Sequence, residues 1–211
     1  MGPDVDNAFR ADFAALLRWR RDVRRFRSNP VEPQDIETLL GLADLAPSVG
    51  NSQPWRFVLV ESPDRRACIQ ANFERANGEA LEGYSGERAA LYSKLKLAGL
   101  RDAPVHIAVF CQPDPDQGRG LGRRTMPETL CYSAVGAIHT LWLAARARGL
   151  GFGWVSILDP TPLNAMLDVP ADWAFIAYLC LGYAEEEHKD PELERAGWQP
   201  RTALSRRVFR R

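Results

Sequence analysis

The segment from Pro127 to Arg148 sets the terms for the rest of the chain, because it reads as the most apolar helix in it. A helix apolar on most faces is stable only when other elements wrap it, so it belongs at the centre of a fold. Both ends are marked. Thr125 to Glu128 has the T-x-x-E form of a capping box, Pro127 suits a first turn, and Gly149 provides the stop.

The flanking segments supply the wrapping. Residues 33–45 place Ile36, Leu39, Leu40 and Ala43 on one helical face behind Pro33. Residues 56–60 read as a strand closed by the turn signal Ser62-Pro63-Asp64, and charged amphipathic segments follow at about 64–77 and 86–99. Residues 105–111 have the continuous apolar character of a buried strand, and the Pro/Asp/Gly-rich stretch 112–124 reads as a long loop. A strand at 152–158, a short helix near 161–167 and a strand at 174–182 complete the set. Helices and strands alternate loosely and no repeat or linker divides them. Residues 1–211 therefore read as one α+β domain around a buried central helix.

Charge and cysteine usage narrow the function classes. Lys plus Arg, 27, equals Asp plus Glu, 27, so no net positive field favours nucleic acid. The longest apolar stretch, Trp173–Tyr183, is far short of the roughly 20 residues that cross a bilayer. The start, MGPDVDNAFRADF, has acids where an export signal carries basic residues and an apolar core. A cytoplasmic protein without a membrane partner is expected. Cys68, Cys111, Cys131 and Cys180 are scattered with no C-x-x-C, which supports buried reduced thiols and no zinc or redox motif.

Most chemical motifs fail on order or spacing. Gly149, Gly151 and Gly153 follow a helix and precede a strand, the reverse of a dinucleotide loop. Residues 118–124, GRGLGRR, contain no phosphate-loop pattern and read as a mobile loop or a lid. His106, His139 and His188 lack ligand spacing, which favours structural roles. Ser156 lies in WVSIL rather than in a G-x-S-x-G elbow.

Two segments stand apart. Arg18–Arg27, RWRRDVRRFR, has six Arg and one Asp, in a chain where 24 of the 27 basic residues are Arg. It is either a solvated basic face or a phosphate grip, since paired guanidinium groups hold phosphate bidentately. The lone Asp22 among arginines is expected to have a depressed pKa and stay ionised. Ala46–Trp55, APSVGNSQPW, is either turn chemistry or a set of donors and acceptors for a flat hydrogen-bonding ring.

Read together, R-R-D-V-R and A-P-S-V-G-N-S-Q-P-W-R-F resemble the flavin-contacting signatures of the nitroreductase-like flavoprotein superfamily. Residues 120–158, GLGRRTMPETLCYSAVGAIHTLWLAARARGLGFGWVSIL, and 177–186, AYLCLGYAEE, resemble its 5,6-dimethylbenzimidazole synthase family more closely, over about residues 15–205. The resemblance implies an FMN-binding fold with a central mixed β-sheet and flanking helices, in a homodimer with FMN at the subunit interface. It implies that Arg20, Arg21, Asp22, Val23 and Arg24 line the flavin, with Arg201 a further phosphate ligand. Ser48 and Asn51 are implied to reach the flavin held mainly by the partner chain, and Asp22 and Ser156 to be catalytic.

The implied reaction is oxygen-dependent fragmentation of reduced FMN to 5,6-dimethylbenzimidazole, the lower ligand of vitamin B12, and erythrose 4-phosphate. No metal takes part, and a flavin reductase is a possible supplier of reduced FMN. The 112–124 loop and the 78–97 segment are expected to cover the site. Asn51-Ser52 stands where those synthases usually have Phe-Met, and is the ordinary nitroreductase form. A nicotinamide-dependent reductase of nitro compounds or quinones is the alternative enzyme, and a flavin-storage or flavin-sensing dimer the non-enzyme alternative.

Overall fold

In the computed structural model, residues 5–95 and 98–211 are described, apart from the side chain of Lys94. The chain opens with α1, Asn7–Trp19, whose first turn is capped by Asp6 accepting from the Phe9 N–H at 2.7 Å. This helix is absent from the sequence reading. Its Phe9, Phe13 and Leu17 recur every four residues, a helical spacing, and stay exposed rather than entering the core.

Helix α2, Pro33–Ala43, buries Leu39 and Ala43 and packs Ile36 and Leu40 against the core, the face expected. A short turn at Val49–Asn51 leads to strand β1, Trp55–Leu59. Helix α3, Pro63–Glu82, starts where Ser62 and Pro63 predict and runs longer than expected. The expected 86–99 helix is two pieces, α4 at Gly86–Lys94 and α5 at Gly99–Asp102, with residues 96–97 of it outside those described.

Strand β2, Val105–Cys111, is buried throughout, and its alternation builds both sides of the core. Val105, Ile107 and Val109 face one cluster, and Ala108 and Phe110 the other. Helix α6, Thr129–Ala147, follows and touches α1, α2 and all four strands. Leu130, Ser133, Ala134, Ala137, Ile138, Leu141 and Ala145 are its buried residues, while Tyr132 and Val135 stay exposed. The expected capping box does not form. Helix α6 starts at Thr129 with Glu128 as its N-cap and no side-chain cap bond, while Thr125 lies in the preceding turn, its hydroxyl donating to the Gly122 carbonyl at 3.0 Å. Gly149, at φ +74, ends the helix as expected.

Strand β3, Gly151–Val155, helix α7, Leu163–Leu167, strand β4, Ala174–Gly182, and the single-turn α8, Glu192–Arg195, complete the elements the site uses. The sheet order is β1-β2-β4-β3 and every pairing between these strands is antiparallel. This corrects the expected mixed sheet. Strands β2 and β3 run the same way and are joined through α6, but β4 lies between them, antiparallel to both. Parallel pairing survives only as a bridge between Asp22 and Phe152. Among the described residues no helix is long and apolar enough to cross a membrane.

Candidate active site

The arginine-rich segment leaves α1 and runs extended along β3. The Val23 N–H donates to the Phe152 carbonyl at 2.9 Å. Arg27 N–H then donates to the Tyr183 carbonyl at 2.8 Å, and the Glu185 N–H to the Arg25 carbonyl at 3.1 Å. Residues 22–27 are thus held between β3 and the chain beyond β4. Gly151 and Gly153 make that approach possible. A Cβ at Gly153 would stand 2.2 Å from the Val23 carbonyl oxygen, closer than any side chain permits. These glycines serve backbone packing and not a dinucleotide loop.

A narrow, solvent-connected cleft opens between this segment and residues 186–195. Asp22 lies in it and accepts from the Trp154 N–H through Oδ1 at 2.9 Å. Arg24 Nε is 3.7 Å from Asp22 Oδ2, with the Arg24 side chain only 12% exposed and that of Asp22 35% exposed. Burial pushes the Asp22 carboxyl above the ordinary carboxylate value, against the opposing pull of the Trp154 N–H and of Arg24. The expectation of a depressed pKa is therefore wrong: enclosure by the protein outweighs the arginines.

Arg20 stacks over the Trp142 ring at 4.5 Å. Arg21 donates to the Arg20 carbonyl at 2.6 Å and to the Lys189 carbonyl. Burial lowers the Arg21 pKa, and the positive charges of Arg20 and Arg201 lower it further, which places Arg201 within electrostatic reach of the cleft. Two guanidinium nitrogens, Arg21 Nε and Arg24 Nε, are buried without a hydrogen-bond partner. A solvated basic face leaves no such donors, and of the six arginines in the run only Arg18 and Arg27 are exposed. Ser156 is exposed, one residue past the end of β3 and two past Trp154, about 7 Å along an extended chain.

Ser48 and Asn51 lie elsewhere. The Ser48 hydroxyl oxygen accepts from the Gln53 N–H at 3.0 Å, and the neighbouring Val49 N–H donates to Ser133 Oγ on α6 at 3.0 Å. Trp142, beneath Arg20, is nine residues further along α6, about 14 Å away. One chain does not bring Ser48 and Asn51 to Asp22. The 112–124 loop sits over this second half. Gln117 Nε2 donates to the Asn51 carbonyl at 2.7 Å, and a Cβ at Gly118 would meet Ser52 Cβ at 2.9 Å. The loop is packed on the 49–52 turn, over the Ser48 and Asn51 half of the candidate site. Small Ser52 fits beneath it where a larger side chain would force the loop away.

Just past the 78–97 segment, Ala98 meets the arginine-rich run. Tyr84 and Tyr92 stack with centroids 5.0 Å apart, Trp198 meets Tyr84 edge-on, and the Ala98 N–H donates to the Arg24 carbonyl at 3.1 Å. Sequence reasoning missed Trp142 and the 186–195 wall with Glu192. The available signal was charge complementarity, EEEHKDPELER against RWRRDVRRFR. His106 is buried and bonded to the Tyr178 hydroxyl at 3.0 Å, a structural role. Cys111 and Cys180 are buried with thiols pushed up to about 12, but Cys68 is exposed, so the expectation of buried thiols fails there.

A nitroreductase family model matches residues 17–183. A 5,6-dimethylbenzimidazole synthase of Rhodospirillum rubrum is 60% identical over 200 residues, covering 95% of each chain. One of Rhodobacter capsulatus is 50% identical over 196 residues, covering 93% of this chain and 95% of the relative. The crystal structure of an iodotyrosine deiodinase bound to FMN and 3-iodo-L-tyrosine superposes with a TM-score of 0.73 at 24% identity, covering 94% of this chain and 97% of that one. The chain belongs to the nitroreductase family, and within it stands with the 5,6-dimethylbenzimidazole synthases.

Proposed function

We propose that this protein is a 5,6-dimethylbenzimidazole synthase, an oxidoreductase that binds FMN and cleaves the reduced flavin with oxygen. The observation that carries the reading is a carboxylate, Asp22, beside two buried guanidinium nitrogens that lack partners, in a chain 60% identical to a synthase over 95% of its length. Those donors fit a phosphate and the oxygens of a ribityl chain. Arg20, Arg21, Arg24 and Arg201 would hold them, with Val23 fixing the backbone against β3. Ser48 and Asn51 of a second chain complete the flavin pocket in a homodimer.

Bound in reduced form, the flavin supplies the electrons for oxygen and the carbon skeleton from which 5,6-dimethylbenzimidazole and erythrose 4-phosphate are cut. Asp22 accepts a proton at Oδ2 from a ribityl carbon. Its Oδ1 is fixed by the Trp154 N–H, so the carboxylate keeps one orientation. A base raised above the ordinary carboxylate value is a stronger proton acceptor than a free Asp. Ser156 offers a hydroxyl to the ring system from the end of β3. No metal ligand set is invoked, and a separate flavin reductase supplies reduced FMN.

Purified protein with FMN, a flavin-reducing system and air is expected to yield a product with the mass of 5,6-dimethylbenzimidazole. NAD(P)H consumption with a nitroaromatic acceptor and no benzimidazole would show a reductase instead. Tightly bound flavin with neither activity would show storage or sensing.

A further inference from the structure

Arg24 stands between two carboxylates. Its Nε lies 3.7 Å from Asp22 Oδ2 and 4.0 Å from Glu192 Oε2, and it is hydrogen-bonded to neither. Glu192 is tethered from its other side, with Oε1 3.9 Å from Arg25 Nη2. Asp22 Oδ1 already accepts from Trp154, so Oδ2 is the oxygen left for chemistry, and Arg24 is the group able to close it off. A direct guanidinium–carboxylate pair forms at about 2.8 Å and would tie up Oδ2 and favour its ionised form. The observed separation is longer, and Glu192 is the charge that competes for the same N–H.

We propose, on the functional reading above, that Glu192 is a positioning residue: its carboxylate holds the Arg24 guanidinium off Asp22, leaving Asp22 Oδ2 free to exchange a proton. Other charges face Asp22 as well. Its own segment contributes Arg20, Arg21, Arg24 and Arg25. The wall beyond β4 contributes Glu186, His188, Asp190, Glu192 and Arg195, and β4 adds the Cys180 thiol. Of these, Glu192 is the carboxylate that shares Arg24 with Asp22. Its negative charge pushes Asp22 in the same direction as burial does.

The test is a carbon-13 NMR titration of carboxyl-labelled Asp in the protein without FMN, with the Asp22 signal assigned by its loss in Asp22→Asn. In Glu192→Gln the Asp22 midpoint is expected to fall by about one pH unit as Arg24 closes on it. Glu192→Asp, which keeps the charge, is expected to restore at least half of that shift. Arg25→Gln removes a positive charge facing Asp22 and frees Glu192 to hold Arg24 more strongly, so on both counts the midpoint is expected to rise. An unchanged midpoint in Glu192→Gln overturns the proposal. If that variant does not fold, an unchanged or lowered midpoint in Arg25→Gln, a half-exposed position, does so instead. The titration needs no flavin or turnover, so failure to make 5,6-dimethylbenzimidazole strikes the proposed function separately. In the active enzyme, the acid limb of the pH–rate profile of Glu192→Gln is expected to move down with the midpoint.

Discussion

At the scale of the residue, the decisive contest is between enclosure and neighbouring charge. Asp22 has arginines on both sides in sequence, yet burial is the largest influence on it and its pKa moves up. The arginines were legible in the sequence; the enclosure was not, because it comes from Trp154 and the 186–195 wall, far along the chain. His106 shows the same effect without a catalytic role. Burial, aided by the charge of Arg66, lowers its imidazole to about 4. The unfolded chain, with a histidine near 6.5, therefore takes up the proton first as the pH falls. Stability is expected to be full above about pH 6.5 and to drop by about 3 kcal/mol as the pH approaches 4. Urea midpoints at pH 7.5 and 4.5 measure this. His106→Gln should remove most of the difference, and an equal pH slope in the variant would contradict the assignment.

At the scale of the element, the site exists because β3 carries glycines where another strand carries side chains. Gly153→Ala places a methyl group 2.2 Å from the Val23 carbonyl oxygen, so residues 22–24 must move off the sheet. A loss of roughly 1–3 kcal/mol is expected from such overpacking, with FMN affinity at least tenfold weaker by fluorescence titration. Gly41→Ala, in α2 with nothing within 4 Å of the added carbon, is the control. It is expected to stabilise by about 0.5–1 kcal/mol and to leave binding unchanged. The elements buried on both sides, β2, β4 and most of α6, were legible as continuous apolar runs. Helix α1 was legible in the four-residue spacing of Phe9, Phe13 and Leu17, though its exposed face gives no core to expect. The antiparallel sheet was not, because strand order depends on which strand enters between β2 and β3.

At the scale of the whole molecule, the apolar surface left uncovered argues for a second copy. Phe9 and Phe13 on α1, Tyr132 and Val135 on α6, and Leu204 and Phe209 in the C-terminal segment are all exposed, Tyr132 by 61% and Phe209 by 71%. Patches of this kind mark interaction sites in soluble proteins. In the proposed homodimer, the two halves of the candidate site, about 14 Å apart along α6 in one chain, meet on one flavin from opposite chains. Sedimentation is expected to give twice 23.6 kDa. Val135→Asp is expected to shift the protein toward the monomer and to weaken FMN binding together with it. A variant monomer that binds FMN as tightly as the parent would contradict the shared site.

The most direct test of the central claim, that Asp22 in the arginine-lined cleft is the proton acceptor for flavin cleavage, is a comparison of the protein with Asp22→Asn. Each is loaded with reduced FMN without oxygen and then mixed with air. The variant is expected to bind reduced FMN within threefold of the parent and to make at most a hundredth of its 5,6-dimethylbenzimidazole, in keeping with the ~10²–10⁴-fold contribution of a positioned base. Full product formation from a variant that binds normally would contradict it.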